Sequence, residues 1–239
     1  MDTLAILNAL QQGDLELQGQ FLHGSNYTFL THITCSGGEF QAVYKPTRGE
    51  QPLWDFPEGT LAKREVAAYW VSQALGWELV PPTVYRRKGP VGPGSLQYYV
   101  VHNPNYHYFN FSPEDRQRLR PTVLFDLLIN NADRKGSHVL LDDGQHIWLI
   151  DHGICFNTED KLRSVIWDFA GEAIPTELIA DLRRLIDQLQ PGESLFQELS
   201  PLLRPVEIRA LAQRADDLAE KGEFPYPPDE RRAYPWPPV

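Results

Sequence analysis

Two carboxylates stand in settings that phosphoryl chemistry uses. Asp133 lies in the polar run Asn130-Asn131-Ala132-Asp133-Arg134-Lys135-Gly136-Ser137-His138, and Asp151 in Ile150-Asp151-His152-Gly153. Apolar runs lead into both, at 124–129 and 147–150. Between them, residues 139–142 and 146–150 are rich in strand formers, and Asp143-Gly144 is a hairpin turn dipeptide. A hairpin returns the chain to its starting end, so both carboxylates come to one place. One carboxylate near a substrate hydroxyl and one on a metal ion is what phosphoryl transfer needs. The plainer reading of Asp151 is a strand-end carboxylate that caps a turn.

The elements that must position these groups follow from periodicity. A helix over 2–12, with Leu4, Ile6, Leu7 and Leu10 on one side, precedes strands at 14–22, 27–34 and 40–45. Gly24-Ser25-Asn26 and Gly37-Gly38 make the turns. Lys45 closes the third strand in Ala42-Val43-Tyr44-Lys45-Pro46, where a lysine alone reads as a solvated strand end. A helix over 60–75 follows, stopped by Gly76, with Leu61, Val66, Ala68, Tyr69, Trp70 and Leu75 as its buried face. Glu65 lies early in that helix. It either pairs with Lys45 and sets it on phosphate oxygens, or sits on the surface beside Lys63 or Arg64.

Strands at 80–86 and 95–101 flank a Gly/Pro-rich turn, and His102-Asn103-Pro104-Asn105 breaks the pattern. Strands dominate before this point and helices after it, which sets a lobe boundary there. The division is an N-terminal lobe over 1–101, a C-terminal lobe over 102–223 and a tail over 224–239. Ser112-Pro113-Glu114-Asp115 is a helix start with a cap residue, proline in the first turn and acids at the positive end. Pro121 interrupts or restarts a helix that runs to residue 129. Residues 162–169 read as a loop or short helix, and 176–189 and 205–220 as amphipathic helices. The Pro- and aromatic-rich tail is extended by composition and packs on the body.

The chain has 239 residues, 42% of them hydrophobic, which suits one globular unit of two lobes. A net charge of −10 makes the chain a poor candidate for a nonspecific nucleic-acid binder, whose phosphate contacts need clustered Lys and Arg, and no nucleic-acid partner is expected. It leaves room for a local cationic nucleotide site. Two distant cysteines, Cys35 and Cys155, argue against a disulfide framework and fit a reducing cytoplasm. The start lacks a signal-peptide pattern, and no apolar stretch approaches the ~20 residues that span a bilayer. A cytoplasmic protein without membrane insertion is expected.

The order of turn loop, strand lysine, helix glutamate, connecting strand, Asp-Arg loop, hairpin and Asp-x-Gly resembles the protein-kinase-like superfamily. Asn131-Ala132-Asp133-Arg134 is similar to the catalytic loop of HipA-type kinases and type II phosphatidylinositol 4-kinases. Phosphoinositide 3-/4-kinases and Fam20-type secretory-pathway kinases share the Asp-Arg and a following Ile/Leu-Asp-x-Gly. Val43-Tyr44-Lys45-Pro46, Pro52-Leu53-Trp54-Asp55-Phe56-Pro57 and Gly76-Trp77-Glu78-Leu79-Val80-Pro81-Pro82 look like a bacterial family grouped with phosphatidylinositol 3-/4-kinase-related proteins. The superfamily likeness covers residues 20–160, and the bacterial one nearly the whole chain.

The resemblance implies an α+β, two-lobed protein-kinase-like fold, with an antiparallel-sheet N-lobe and a mostly helical C-lobe. It implies ATP, with backbone amides around Gly24, Ser25 and Asn26 over the phosphates. Lys45, oriented by Glu65, would hold the α/β-phosphates. Backbone at Tyr99, Val100 and Val101 would meet the adenine edge. Asp133 would align or deprotonate the acceptor hydroxyl, Arg134 would stabilise the loop or the transferred phosphate, and Asp151 would chelate Mg2+ or Mn2+. His138 stands five positions after Asp133, where the superfamily carries a metal-binding Asn. It is a second metal ligand with a lean toward Mn2+, a cation for phosphate, a mark of weakened catalysis, or a cap on the hairpin. His152 takes the place of the usual Phe.

The function implied is transfer of the γ-phosphate to a hydroxyl of a protein side chain or small polar molecule. Two alternatives share the fold: a pseudokinase serving as a nucleotide-binding or interaction module, and a nucleotidyl transferase (AMPylation). A lipid acceptor is disfavoured because no basic amphipathic segment is present. The histidines form no helical i, i+4 pair with a glutamate, so zinc-hydrolase chemistry has no support. Residues 106–111 and the tail are candidates to line the acceptor side.

Overall fold

The computed structural model describes residues 1–21 and 26–239. Its first half is a five-stranded antiparallel sheet in the order β1-β2-β3-β5-β4. The strands are β1 (Asp14–Gln20), β2 (Phe29–Cys35), β3 (Gly38–Pro46), β4 (Thr83–Arg86) and β5 (Gly94–Tyr98). Helix α1 (Thr3–Gln12), capped by the Asp2 carboxylate on Ala5 N–H at 2.7 Å, covers one face. There Ala9 and Leu10 pack with Ile33, Ala42, Tyr44 and Leu96 as a small core. Side chains alternate across a strand, so Ala42 and Tyr44 point to α1 while Lys45 points to the other face.

That other face receives α2 (Leu61–Leu75), which ends at Gly76 in the left-handed conformation, φ 72°. The helix is small and apolar on most sides and is buried nearly all round. It packs on β4 and β5 and also on α5 (Thr176–Gln188) and α6 (Ser194–Leu199). Ala67, Ala68, Val71 and Leu75 thus belong to the larger core that fills the second half. Glu50 fixes the entry to α2, its two carboxylate oxygens accepting from Leu61 and Ala62 N–H at 3.1 and 2.9 Å.

The second half holds α3 (Pro113–Gln117), α4 (Arg120–Ile129), the hairpin β6 (Val139–Leu141) and β7 (Ile147–Leu149), then α5, α6 and α7 (Pro205–Lys221). Apolar residues recur at helical spacing, Leu178, Leu182 and Leu185 on α5 and Ile208, Leu211, Ala215 and Ala219 on α7. The α+β, antiparallel-sheet-plus-helices architecture matches the expectation. Three details differ. β5 stops at Tyr98, so residues 99–101 form a connection rather than strand. Helix α6 was not foreseen, because six residues are under two turns and show little period. The strand expected over 80–86 begins only at Thr83, whereas residues 162–169 are the expected loop, hydrogen-bonded to the Asp133 loop.

The tail packs as expected. Phe224 is buried against Phe169, Ala233 O accepts from Ser164 N–H at 3.0 Å, and Pro238 O accepts from Gly136 N–H at 2.9 Å. Among the described residues, no helix is long and apolar enough to cross a membrane.

Gly94 faces Pro46 across the β3–β5 pair, and a Cβ there would lie 2.4 Å from Lys45 O. Backbone cannot yield as a side-chain tip can. Gly94→Ala is expected to destabilise the fold by ~1–3 kcal/mol in chemical denaturation.

Candidate active site

The loop after α4 is built around a buried guanidinium. Asn130 ends the helix in the left-handed conformation, φ 55°, which turns the chain sharply. Its side chain then donates to Asn157 O at 2.9 Å and to Glu159 O at 2.6 Å. Asn131, fully buried, donates to Asp126 Oδ1 at 3.0 Å and accepts from Asp133 N–H at 3.0 Å. Arg134 is also fully buried. It grips the Asp126 carboxylate from Nε and Nη2 and donates from Nη1 to Ile150 O at 2.8 Å. Its Nη2 also meets His152 Nε2 at 2.9 Å. A buried charge needs a partner and full hydrogen bonding, and Arg134 has both. With its side chain spent inward, what it does is hold loop, hairpin and Asp-His-Gly turn together.

On this frame Asp133 faces outward, 3.5 Å from Lys135 Nζ. Burial raises its carboxyl above the usual range, Lys135 opposes the rise and Asp151 adds to it. Asp151 follows β7 with φ 62°, a conformation that a β-carbon disfavours. Its side chain is half exposed, and Oδ1 accepts from Lys45 Nζ at 2.9 Å. Lys45 also pairs with Glu65, which is 3% exposed on α2. The surface reading of Glu65 is therefore overturned: its other oxygen accepts from His152 N–H at 2.9 Å. Burial works against the Lys45 ammonium, but Asp151 and Glu65 outweigh it and hold it above its ordinary range. Lys45 in turn holds Asp151 far below the usual carboxylate range, against the effect of burial.

His138 closes the 3-10 turn Gly136–His138, with Lys135 N–H directed at its Nδ1 at 3.4 Å. An accepting Nδ1 leaves the hydrogen on Nε2, which faces Asp151 Oδ2 at 3.4 Å. Burial depresses His138 to about 4, so the ring is neutral at physiological pH.

Among the described residues, no three His, Cys, Asp or Glu groups gather as a metal cage. A single half-exposed carboxylate at Asp151 fits instead a hard ion that takes its other ligands from phosphate and water. Of the remaining expected site residues, Gly24 and Ser25 lie outside the described residues. Asn26 accepts from Gln51 N–H at 2.6 Å, tying it to the segment after β3. Tyr99 N–H is taken by Gln41 O at 3.0 Å and Val100 O by His102 Nδ1 at 2.8 Å, while Val101 is exposed.

No protein-family model matches the chain. Protein Rv2133c of Mycobacterium tuberculosis is 38% identical to it over 263 residues, covering 95% of this chain and 93% of that one. The chain belongs to the family of Rv2133c. Solved structures show where the family fold sits. Golgi casein kinase with Mn/ADP bound superposes with a TM-score of 0.59 at 14% identity, over 99% of this chain and 80% of that one. Hydra Fam20 with sugar gives 0.57 at 16%, over 92% and 88%. The Helicobacter pylori proinflammatory kinase CtkA gives 0.53 at 11%, over 90% and 94%. This member of the Rv2133c family therefore has an atypical kinase-like fold, as its Fam20-like motifs implied. The HipA-type and phosphatidylinositol-kinase likenesses rest on motifs alone.

Sequence reasoning passed over Asp126 and saw His152 only as the residue in place of a Phe. An acid inside the apolar run Val123-Leu124-Phe125-Asp126-Leu127-Leu128 was the available signal, since a buried carboxylate demands a cation. Asp126→Ala leaves Arg134 buried and unpaired and is expected to cost ~3–5 kcal/mol. Lys135→Ala breaks a more exposed pair and is expected to cost under about 1 kcal/mol in the same denaturation experiment.

Proposed function

We propose that this protein is a kinase-like phosphotransferase that uses ATP and a divalent cation to phosphorylate a hydroxyl on a protein side chain or small polar molecule. The observation that carries the reading is Lys45 held between Glu65 and Asp151, with Asp133 at the end of the same hairpin. Lys45 binds the α/β-phosphates and Glu65 keeps it pointed at them. Asp133 aligns the acceptor hydroxyl and takes its proton, helped by a carboxyl whose burial makes it more basic than usual. Asp151 is the residue that would hold Mg2+ or Mn2+, an ion that neutralises the phosphate oxygens as the γ-phosphoryl group moves. His138 orients Asp151 through Nε2–H. As a ligand it would have to move that hydrogen to Nδ1, against Lys135 N–H. Arg134 supports the loop from behind. Tyr99 to Val101 meet the adenine edge, with Val101 as the residue whose backbone is least committed, and Gly24, Ser25 and Asn26 cover the phosphates.

Charge supports a metal requirement. Glu65, Asp133 and Asp151 face Lys45 and Lys135, so the cluster has no cationic surplus for a triphosphate. The second reading, a nucleotide-binding pseudokinase, is favoured by His138 where a metal-binding Asn is expected. The acceptor and the HipA or phosphoinositide kinship belong to the same proposal, as does a cytoplasmic setting.

Calorimetric titration of ATP, with and without Mg2+ or Mn2+, tests the site. Metal-dependent binding that disappears in Asp151→Gly is expected, while Tm stays level or rises because glycine accepts φ 62° freely. Turnover should release ADP rather than pyrophosphate and be lost in Asp133→Asn with ATP binding kept. Metal-independent binding, or none, would sink the reading.

A further inference from the structure

α2 carries two adjacent charges into a buried environment, and they point to different partners. Glu65 serves Lys45 and His152 N–H. Arg64, 1% exposed, turns the other way. It donates from Nη1 to Cys155 O and from Nη2 to Glu207 Oε1, each at 2.6 Å, and its guanidinium lies 4.9 Å over the Phe56 ring. Glu207 is 2% exposed, in the first turn of α7, and its other oxygen accepts from Arg204 N–H at 2.8 Å. Thus Arg64 joins α2 to the segment just after Asp151 and, through Glu207, to α7. Of the three charges in α2, Lys63 alone is partly exposed.

We propose that Arg64, anchored by Glu207, is a positioning residue for the phosphate-binding lysine: it fixes α2 against the helical half, so the Lys45–Glu65 pair stands formed without any activating partner or modification. The inference rests on the phosphotransferase reading for its purpose and on this geometry for its substance. One residue separates the anchored side chain from the working one by about a quarter turn of helix. Any outward swing of α2 that frees Glu65 from Lys45 must also break both Arg64 bonds. It would leave the Arg64 guanidinium buried and unpaired, the costly outcome for a buried charge, while Glu207 kept only Arg204, whose Nη2 lies 3.2 Å from Oε1.

The test reads the Lys45 amine, which needs no turnover. The full-length chain is labelled with an amine-reactive reagent at alkaline pH, and modification of Lys45 is followed by peptide mass mapping. Lys45 keeps its contact with Asp151 at 2.9 Å when Glu65 is lost, so the amine is freed in part and is expected to label severalfold faster. Glu65→Gln sets the scale. Arg64→Met/Glu207→Leu replaces the buried pair by apolar groups of similar volume, an exchange that commonly keeps stability. Arg64→Lys, which can reach Glu207 or Cys155 O but not both, is the milder variant should the double one melt early. With Tm close to wild type, either is expected to label Lys45 severalfold faster, approaching Glu65→Gln. Wild-type labelling in a folded Arg64 variant, with Glu65→Gln fast, overturns the positioning role and leaves the phosphotransferase reading standing. Wild-type labelling in Glu65→Gln itself also overturns the positioning role, since Glu65 then does not hold the amine, and leaves the phosphotransferase reading to the ATP titration.

Discussion

A guanidinium removed from water is the constraint on which the site depends. Arg134 has no access to solvent, so every one of its hydrogen bonds must come from protein. Those bonds run to the α4 carboxylate Asp126, to Ile150 at the end of the hairpin and to the His152 ring. Three pieces of chain far apart in sequence are thereby brought to one point. The outward-facing carboxylates Asp133 and Asp151 owe their separation and direction to a cation that never meets substrate. The same arrangement lets Arg134 form an isolated parallel bridge with Ser164, Arg134 O accepting from Val165 N–H at 3.1 Å.

Burial and exposure divide the charged residues by task. Arg64, Asp126, Arg134 and Glu207 are nearly solvent-free and fully paired, and they fix geometry. Asp133, Asp151, Lys45 and Lys135 keep partial exposure and longer or shared contacts, and they are free to exchange partners. The strained backbone of Asp151 falls in the second group. Its carboxylate, held at φ 62°, is shared between Lys45 at 2.9 Å and His138 at 3.4 Å, and half of it stays open to solvent.

Much of this arrangement is legible in the sequence, and the unread part has a common cause. Lys45 at the end of an alternating strand, the Gly76 stop and the Asp143-Gly144 turn are local signals, and the structure places those elements within a few residues of expectation. Glu65 was ambiguous because a helix with charges at 63, 64 and 65 does not declare which one is inside. Arg64 and Glu207 lie 143 residues apart, and no local pattern records that they meet. The direction of Arg134 was undecided for the same reason: its anchor, Asp126, is legible only once burial of α4 is known. What local chemistry dictates was readable, and what pairing across the core dictates was not.

The tail has a consequence in the order of synthesis. The loop that carries Asp133 takes a hydrogen-bond acceptor from Pro238, and the segment beside it takes one from Ala233. Arg231 clamps Asp160 in the same stretch. A nascent chain still lacking these residues has α4, the hairpin and both carboxylates, yet the backbone beneath Gly136 and Ser164 has only water to bond with. On the ribosome the site therefore matures late, after residue 238 has emerged, and incomplete chains carry the reactive groups without the finished floor that aligns them.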